Sequence, residues 1–202
     1  MIECESNLVF DFDDAYTVSK FDDTDFYRNK FNAMPRSKAV DFLAVDRKKY
    51  VFIEVKNCVG NESINRWRID KNNRKRDTAS TTADRSDRDS LDIEMAEKVT
   101  MTIAALFGAF TRPTPHACSD ACESVAASLF SDAVRNGERE IFVILLLDGE
   151  FGCHSRKDNM IRETLQKSIK KKLKWLKCTV LVTDSKQFST EQSGISVRPQ
   201  TI

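Results

Sequence analysis

The chain has 202 residues, of which 41% are hydrophobic and 31% charged, and its formal net charge is +1. This composition is typical of a soluble globular protein and excludes one that coats nucleic acid by charge alone. No apolar run approaches the ~20 residues that span a bilayer, and the acidic start of the chain lacks the basic-then-apolar order of a signal peptide. We therefore expect a cytoplasmic protein that does not contact membranes, with its six cysteines as reduced thiols.

The first part of the chain is predicted to be mainly extended. Residues 8–12 (LVFDF) alternate apolar and acidic side chains, which indicates a half-buried strand. After it, the pattern predicts an extended segment at 16–21, a short helix at 22–31, a break at Pro35, and strands at 39–45 and 50–57. Four extended segments are therefore expected before residue 58.

The rest of the chain is predicted to alternate helices and strands after one long loop. Residues 61–90 have few apolar side chains and are predicted to form a polar and basic loop. Beyond it, the periodicity predicts helices from Ser90 to about 108, at 119–135 and at 157–177, strands at 141–149 and 178–184, and a frayed tail at 186–202. This order predicts a single domain over residues 1–202, built as a mixed α/β sheet flanked by helices.

Two of the predicted strands form a hairpin that carries three charges at one end. If residues 46–49 (DRKK) form the turn, Asp41 faces Glu54, and the Cβ atoms of such a pair lie ~4.5–5.5 Å apart. Lys56 lies two residues beyond Glu54 and therefore points to the same face. The other positions of both strands are strongly apolar, so these charges require an explanation.

A metal ion would explain the facing carboxylates, because two buried acids repel each other and a divalent cation between them removes the repulsion. Mg²⁺ prefers oxygen ligands in octahedral geometry, so Asp41, Glu54, a backbone carbonyl and waters would suit it. Lys56 would then position or help to deprotonate an attacking water, or stabilise developing negative charge. The alternative is an edge hairpin with a surface Glu54–Lys56 pair, which the apolar strands disfavour.

The hairpin has the arrangement of a known nuclease motif. An Asp at the start of one strand and Glu-x-Lys in the next, here Asp41 and Glu54-Val55-Lys56, resembles the PD-(D/E)xK nuclease superfamily. The string SKAVDFLAVDRKKYVFIEVK is similar to the equivalent hairpin of archaeal Holliday-junction resolvases. The resemblance implies a restriction-endonuclease-like αβββαβ core, here with an extra C-terminal helix and strand. The chain departs from the family pattern in having Val40 in place of the Pro, and strand-like segments in place of a first helix.

The resemblance also implies roles for individual residues. Asp41 and Glu54 would bind Mg²⁺, for which Mn²⁺ substitutes, with the Val55 backbone carbonyl as a third ligand. Lys56 would be the catalytic lysine, and the substrate would be DNA, with RNA not excluded. Many members of the superfamily add an upstream acid, for which the candidates here are Glu3, Glu5, Asp11, Asp13 and Asp25.

The segment after the hairpin is the candidate for binding nucleic acid. Residues 66–76 (RWRIDKNNRKR) hold six basic residues against one acidic residue. In an extended loop, Arg66 and Arg68 would lie on one side and clamp phosphates next to the metal. Trp67 would stack on a base and Lys71 would add positive charge. The alternative for Trp67 is an anchor that holds the loop to the core.

Other polar groups have simpler explanations. His116, Cys118 and Cys122 do not have the spacing of a zinc finger, so ordinary thiols are favoured for them, and for Cys153 beside His154. Cys153 and Cys178 are too few and too far apart for an iron–sulfur site.

Two charged helix faces each have two candidate roles. Glu94, Glu97 and Lys98 open the helix after the loop, and a solvated face is favoured for them over contact with the metal. The lysines of 167–177 either extend a nucleic-acid surface or make a core helix soluble.

The expected function is therefore metal-dependent hydrolysis of phosphodiester bonds, in a bacterial or phage repair, restriction or antiphage defence context. The alternative is a catalytically silent nucleic-acid-binding or interaction module on the same fold. A small nuclease without a specificity domain also suggests a homodimer or a subunit of a larger complex.

Overall fold

A computed structural model describes residues 1–74, 88–111, 120–151, 157–188 and 193–200 of the protein, without the side chains of 120–124. The elements in this part of the chain are, in order, β1 (Ile2–Glu5), β2 (Leu8–Phe12), β3 (Thr17–Lys20), α1 (Asp25–Asn29), β4 (Phe42–Val45), β5 (Lys49–Asn57), α2 (Glu62–Ile69), α3 (Leu91–Phe110), α4 (Asp120–Leu129), α5 (Asp132–Arg135), β6 (Glu140–Asp148), α6 (Asp158–Lys172), β7 (Cys178–Thr183) and β8 (Ile195–Pro199). None of the described helices is long and apolar enough to cross a membrane.

The larger sheet has five strands in the order β3-β4-β5-β6-β7. β3, β4 and β5 are antiparallel neighbours, whereas β5, β6 and β7 run parallel. Parallel neighbours require a crossover, and the chain makes the first through α2–α5 and the second through α6. The predicted mixed α/β sheet flanked by helices is therefore confirmed. Its strands follow the expected order of three strands, helix and strand, with an extra helix and strand after them.

The start of the chain forms strands in place of a first helix, as the departure from the family pattern predicted. Residues 1–16 contain β1, β2 and turns. The short helix α1 comes later, between β3 and β4, inside the predicted helical range 22–31. Thr24 caps it by accepting a hydrogen bond from the Tyr27 N–H, which fixes where the helix begins.

The predicted register of the β4–β5 hairpin is confirmed. Phe42 pairs with Ile53, and the pairing continues from there to the turn at 46–49. Asp41 is the next residue in this register and stands in line with Glu54. Regular pairing stops at Phe42, because Asp41 lies in a bend just before β4.

The five-stranded sheet separates two hydrophobic cores, because successive residues of a strand point to opposite faces. On one face, Phe52 of β5 belongs to a core formed with α3, α4 and α6. On the other face, Ile53 and Val55 belong to a core formed with β2 and β8. Alternation therefore turns Glu54 and Lys56 toward the helical face.

The second sheet is antiparallel, with β2 between β1 and β8. Phe10 and Phe12 of β2 are buried against the larger sheet. The predicted frayed tail at 186–202 is therefore wrong for β8, which pairs with the whole of β2. Residues 189–192 and 201–202 of that tail lie outside the described residues.

The predicted loop at 61–90 is wrong in its first part, which forms helix α2. Glu62 stands in the first turn and Arg66 and Arg68 in the last, an arrangement that suits the helix dipole. Ile69 is the only apolar residue of α2 that is buried, so the sequence shows little helical periodicity. Residues 75–87 of the predicted loop lie outside the described residues.

The remaining predicted elements are present with changed ends. The helix expected at 119–135 is two helices, α4 and α5, divided at 130–131. The helix expected at 157–177 is α6 and ends at Lys172. The strand expected at 39–45 begins only at Phe42.

Candidate active site

The two facing carboxylates lie at the edge of the helical core. Asp41 is 6% exposed and Glu54 is 1% exposed. Asp41 Oδ2 accepts a hydrogen bond of 2.7 Å from the Val55 N–H, and its own backbone oxygen accepts one of 3.2 Å from the Phe21 N–H. Since the N–H and C=O of one strand residue point to the same side, the Val55 carbonyl also opens toward Asp41. Two backbone hydrogen bonds therefore hold Asp41 beside Val55 and Phe21.

A lysine from α3 lies between the two carboxylates. Lys98 Nζ is 2.7 Å from Glu54 Oε2 and 3.5 Å from Asp41 Oδ1. Its side chain is only 13% exposed. The positive charge that the facing carboxylates require is thus supplied by the chain itself.

Helix α3 is held against the segment before β4. Thr102 Oγ1 accepts a 3.1 Å hydrogen bond from the Val40 N–H, next to Asp41. Glu94, Lys98 and Thr102 are spaced four residues apart, so they share one face of the helix. The bond to Val40 therefore aims the charged part of that face at the end of the β4–β5 hairpin.

Lys56 joins Glu54 to a third buried acid. Lys56 Nζ is 2.5 Å from Glu54 Oε1 and 3.4 Å from Glu94 Oε1. Glu94 also pairs with Arg68 at 2.6 Å and with Arg88 at 3.1 Å. Acids and bases therefore alternate through the site. The carboxylate–lysine cluster, as we call this group, consists of Asp41, Glu54, Lys56, Arg68, Arg88, Glu94 and Lys98.

Glu54 is the acid of the cluster whose pKa is raised. Burial, and then the charge of Asp41, raises the pKa of Glu54 to about 7, although Lys56 and Lys98 oppose this effect. Its two oxygens contact two lysines, Oε1 at 2.5 Å from Lys56 and Oε2 at 2.7 Å from Lys98. Burial beside a second carboxylate therefore outweighs two close lysines in setting the pKa of Glu54.

Glu94 has the opposite environment. Burial acts to raise its pKa, but Lys56, Arg68 and Arg88 outweigh burial and bring the pKa of Glu94 to about 2. Glu94 is therefore ionised at any physiological pH and holds Lys56 in place.

Asp22 is a further acid near Asp41 that sequence analysis did not select. Burial, and then the charge of Asp41, raises the pKa of Asp22 to about 6. Its Oδ1 is buried and accepts no hydrogen bond from the described residues. The pairing of Lys20 with Phe42 places the residues that follow β3 beside those that precede β4. A predicted register for β3, like the one for the hairpin, would have revealed this neighbour.

Among the described residues, none of the candidate upstream acids forms a salt bridge with a member of the carboxylate–lysine cluster. The part of the chain that the structure describes contains no group of three or more Asp, Glu, His or Cys residues that could hold a metal ion. Glu5 pairs with Lys20 at 2.9 Å and contributes to the raised pKa of Asp22. The remaining candidates are half-buried or exposed on β1, β2, the turn after β2 and α1: Glu3, Asp11, Asp13 and Asp25.

The predicted phosphate clamp takes a different form from the one expected. Positions two apart in a helix point ~200° apart, so α2 separates Arg66, which is exposed, from Arg68, which is buried against Glu94. The one-sided clamp expected from an extended loop is therefore wrong, and Arg68 positions Glu94. Trp67 is half-buried, and Lys71 is exposed at a separate basic cavity.

The favoured solvated face at the start of α3 is wrong for two of its three residues. Glu94 and Lys98 are cluster members, whereas Glu97 pairs nearer the surface with Lys38 at 2.6 Å and Arg74 at 3.3 Å. The signal in the sequence is a Glu and a Lys four residues apart, at 94 and 98, in a helix whose second half is mostly apolar.

The residues considered for a zinc site lie outside the described part of the chain. This applies to His116, Cys118, Cys153 and His154, and to the side chain of Cys122. Cys178 is half-buried and unpaired, and Cys58 is a buried free thiol.

Comparison with known proteins identifies a family. The chain belongs to DUF6661, a family of unknown function, whose model matches residues 24–195. The matched range contains the whole carboxylate–lysine cluster and begins after β3. No curated protein and no solved structure matches the chain.

Proposed function

We propose that this protein is a metal-dependent nuclease that hydrolyses phosphodiester bonds in DNA. The proposal is carried by one observation: Asp41 and Glu54 are buried together with the ammonium group of Lys98 between them, and Lys56 contacts Glu54. Burying such charges costs free energy, and buried acids with a raised pKa, such as Glu54, concentrate at functional sites. The resemblance to PD-(D/E)xK nucleases adds the reaction class, because that motif uses these residue types at these positions.

The residues fit a divalent cation. The single ammonium group of Lys98 reaches both Asp41, at 3.5 Å, and Glu54, at 2.7 Å, so one small cation can contact both carboxylates, and the Val55 N–H that donates to Asp41 brings the Val55 backbone beside them. Mg²⁺ is commonly held by one or two carboxylates with waters, and Mn²⁺ accepts the same oxygen ligands. When bound, the metal would polarise the phosphate and lower the pKa of a water. Lys98 occupies the same space, so metal binding requires its ammonium group to leave.

The protein's own residues would stabilise the negative charge that develops on the substrate. Lys56 carries a fixed positive charge next to the carboxylates, where negative charge develops on the phosphate oxygens. Glu94 sets the position of Lys56, and Arg68 holds Glu94 from the side of α2. Arg88 is 53% exposed and forms the outer edge of the cluster, where it can meet a phosphate.

A cleavage assay tests the proposal. Purified protein is incubated with plasmid, linear, single-stranded and branched DNA and with RNA, in Mg²⁺, Mn²⁺ or EDTA. We expect cleavage of DNA in Mg²⁺ or Mn²⁺ only. Lys56→Ala and Asp41→Asn should each lower the rate by at least ~100-fold, since removal of one electrostatic contact to the transition state costs about 10²–10³.

Lys170→Ala is the matched control, because Lys170 is an exposed lysine of α6 outside the cluster. Its rate should equal that of the wild-type protein. Folded wild-type protein that cuts none of these substrates, or Lys56→Ala and Asp41→Asn proteins that cut at the wild-type rate, would refute the proposal.

The position of Lys98 favours a second candidate function. A lysine already neutralises Asp41 and Glu54, so the same fold can serve as a nucleic-acid-binding or interaction module that uses no metal. Calorimetric titration with Mg²⁺ separates the two functions. A module would release no binding heat with Mg²⁺, and its affinity for nucleic acid would be unaffected by Glu54→Gln.

The biological setting is proposed from the resemblance alone. It comprises repair, restriction or antiphage defence in the cytoplasm, with the protein acting as a homodimer or as a subunit of a larger complex.

A further inference from the structure

A strongly basic cavity lies between α6 and the turn that follows α2. Its volume is about 560 Å³. Its lining consists of four lysines and three neutral polar residues: Lys71, Asn72, Thr164, Lys167, Ser168, Lys171 and Lys172. Every lining side chain can therefore donate a hydrogen bond to an anion.

One wall of this cavity is rigidly built. Lys172 Nζ is 2.6 Å from Asp92 Oδ2 and 2.7 Å from Asn72 Oδ1. Ser168 donates a 2.6 Å hydrogen bond to Asp92, which is fully buried. Because Asp92 neutralises Lys172, that lysine shapes the cavity more than it charges it.

The other three lysines are available to a ligand. Lys71 and Lys171 have no ion-pair partner among the described residues. Lys167 lies 3.5 Å from Glu163, but both side chains are highly exposed, so this pair is weak. The cavity thus holds up to three positive charges for an incoming anion.

The spacing of these charges suits a linear anion. Lys167 and Lys171 are four residues apart on α6, so they follow each other along the helix by ~6 Å, and Lys71 lines the same cavity from the turn after α2. Lysines and neutral donors are the groups that hold phosphates in nucleic-acid complexes. We propose that this cavity binds the phosphodiester backbone of a nucleic-acid strand, a role that deepens and rests on the proposed nuclease function.

The cavity is close enough to the carboxylate–lysine cluster to hold the same strand. Asp92 and Glu94 are two residues apart on α3, so their side chains point ~200° apart. Asp92 contacts Lys172 in the cavity wall, and Glu94 contacts Lys56 in the cluster, so the two sites lie on opposite sides of one helical turn. A helix with its side chains is ~10–12 Å wide. At ~3.4 Å per nucleotide, a strand crosses that width in about three or four steps.

Two variants with equal charge loss test the inference. Lys71, Lys167 and Lys171 are changed together to Gln in the cavity variant. Lys170, Lys174 and Lys177, which are exposed and lie outside the cavity, are changed to Gln in the control. Binding of a fluorescent single-stranded oligonucleotide is measured by anisotropy in EDTA, from low to high salt, after circular dichroism has verified the fold.

We expect the cavity variant to lose about two units of the salt slope, at ~0.7 per phosphate contact on single strands. If affinities converge near 1 M salt, this is a weakening of ~100-fold near 0.1 M salt. The salt slope of the control variant should fall by less than ~0.7, the value of one phosphate contact. Equal slopes and affinities in the two variants would overturn the inference.

Two further outcomes separate this inference from the nuclease proposal. Binding lost only in the cavity variant supports the cavity even where Mg²⁺ produces no cleavage. Cleavage by the wild-type protein, with oligonucleotide binding unchanged in the cavity variant, overturns the cavity and leaves the nuclease proposal standing. Unlabelled oligonucleotide and tripolyphosphate are also compared as competitors. If tripolyphosphate displaces the labelled oligonucleotide at the lower concentration of phosphate groups, the cavity selects a small anion and the inference is overturned.

Discussion

Asp92 and Glu54 are both almost completely buried, yet their surroundings differ in kind. The oxygens of Asp92 accept hydrogen bonds from Ser90 at 2.5 Å and from Ser168 and Lys172 at 2.6 Å. Burial acts to raise its pKa, but these bonds outweigh burial and lower the pKa of Asp92. Its donors come from α6 and from the residues next to α3, so Asp92 joins the two helices.

Glu54 contacts two lysines, Lys56 at 2.5 Å and Lys98 at 2.7 Å, but Asp41 lies beside it and shares Lys98. Its pKa is raised to about 7, mainly by burial and then by Asp41. A buried acid whose hydrogen bonds lower its pKa, such as Asp92, stabilises the fold. A buried acid that lies beside a second acid and keeps a raised pKa despite two lysines, such as Glu54, indicates a place for a ligand.

The largest expected effect is on cleavage. Glu54→Gln should lower the rate by about 10³-fold, because an amide is a poor ligand for a divalent cation and removes a charge that Lys56 and Lys98 share. The free energy of unfolding at pH 7.5 should stay equal or rise, since an ionised Glu54 is costly to bury. Parallel cleavage and urea-denaturation measurements check this, and a large loss of stability would place Glu54 in the same class as Asp92.

Asp92→Asn should act on stability instead. Breaking a buried ion pair by removing one partner costs about 3–5 kcal/mol, and Lys172, which is 25% exposed, can recover part of this by turning to water. We expect a loss of about 3 kcal/mol in urea denaturation. The surviving folded protein should bind Mg²⁺ with unchanged affinity, and a selective loss of metal binding would contradict the assignment.

The stability of the metal-free protein should depend on pH through Glu54. Because its pKa is about 7 when folded and its ordinary value is 4.5, the folded state holds the proton more tightly, and the free energy of unfolding falls as pH rises between these values. From pH 5 to pH 7.5 this fall is on the order of 2 kcal/mol.

The difference between wild type and Glu54→Gln isolates this effect, because Asp22, with a pKa of about 6, titrates in both proteins. Glu94 acts in the opposite direction. Its pKa of about 2 stabilises the fold above pH 4.5, and that stabilisation is lost as pH falls toward 2. Denaturation in EDTA at several pH values measures both, and parallel curves for the two proteins between pH 5 and 7.5 would disprove the effect of Glu54.

The smallest effect concerns Lys98. If Lys98 occupies the metal space, Lys98→Met should tighten Mg²⁺ binding by about tenfold, or ~1.4 kcal/mol, because no ammonium group has to leave. Calorimetry at pH 7.5 measures the affinity, with Lys170→Met as the control. Weaker binding in Lys98→Met than in the control would show that Lys98 supports the metal site.

The hairpin was the part of the site most accessible to prediction. Strand alternation has a period of two, and one turn then determines every pairing, so the position of Asp41 in line with Glu54 followed from sequence alone. Lys56 followed from the same alternation. This reasoning uses only neighbours along a short stretch of chain.

The rest of the cluster depends on contacts between distant segments. Local composition predicts a solvated face for Glu94 and Lys98, whereas their exposure depends on how α3 docks on the residues before β4. It predicts an extended loop for Arg68, because α2 buries too little apolar surface to show a helical period. Each error arose where packing overrode local composition.

The pairing of β2 with β8 has a consequence for synthesis of the protein. Leu8 pairs with Pro199, so β2 leaves the ribosome about 190 residues before its partner strand exists. At ~5–20 residues per second, this interval is roughly 10–40 s. During that time Phe10 and Phe12 can pair with β1 but lack the cover that Ile195 gives their core. The nascent chain therefore holds β2 without one of its two neighbouring strands until β8 has been made, and an unpaired strand edge of this kind can pair with other chains.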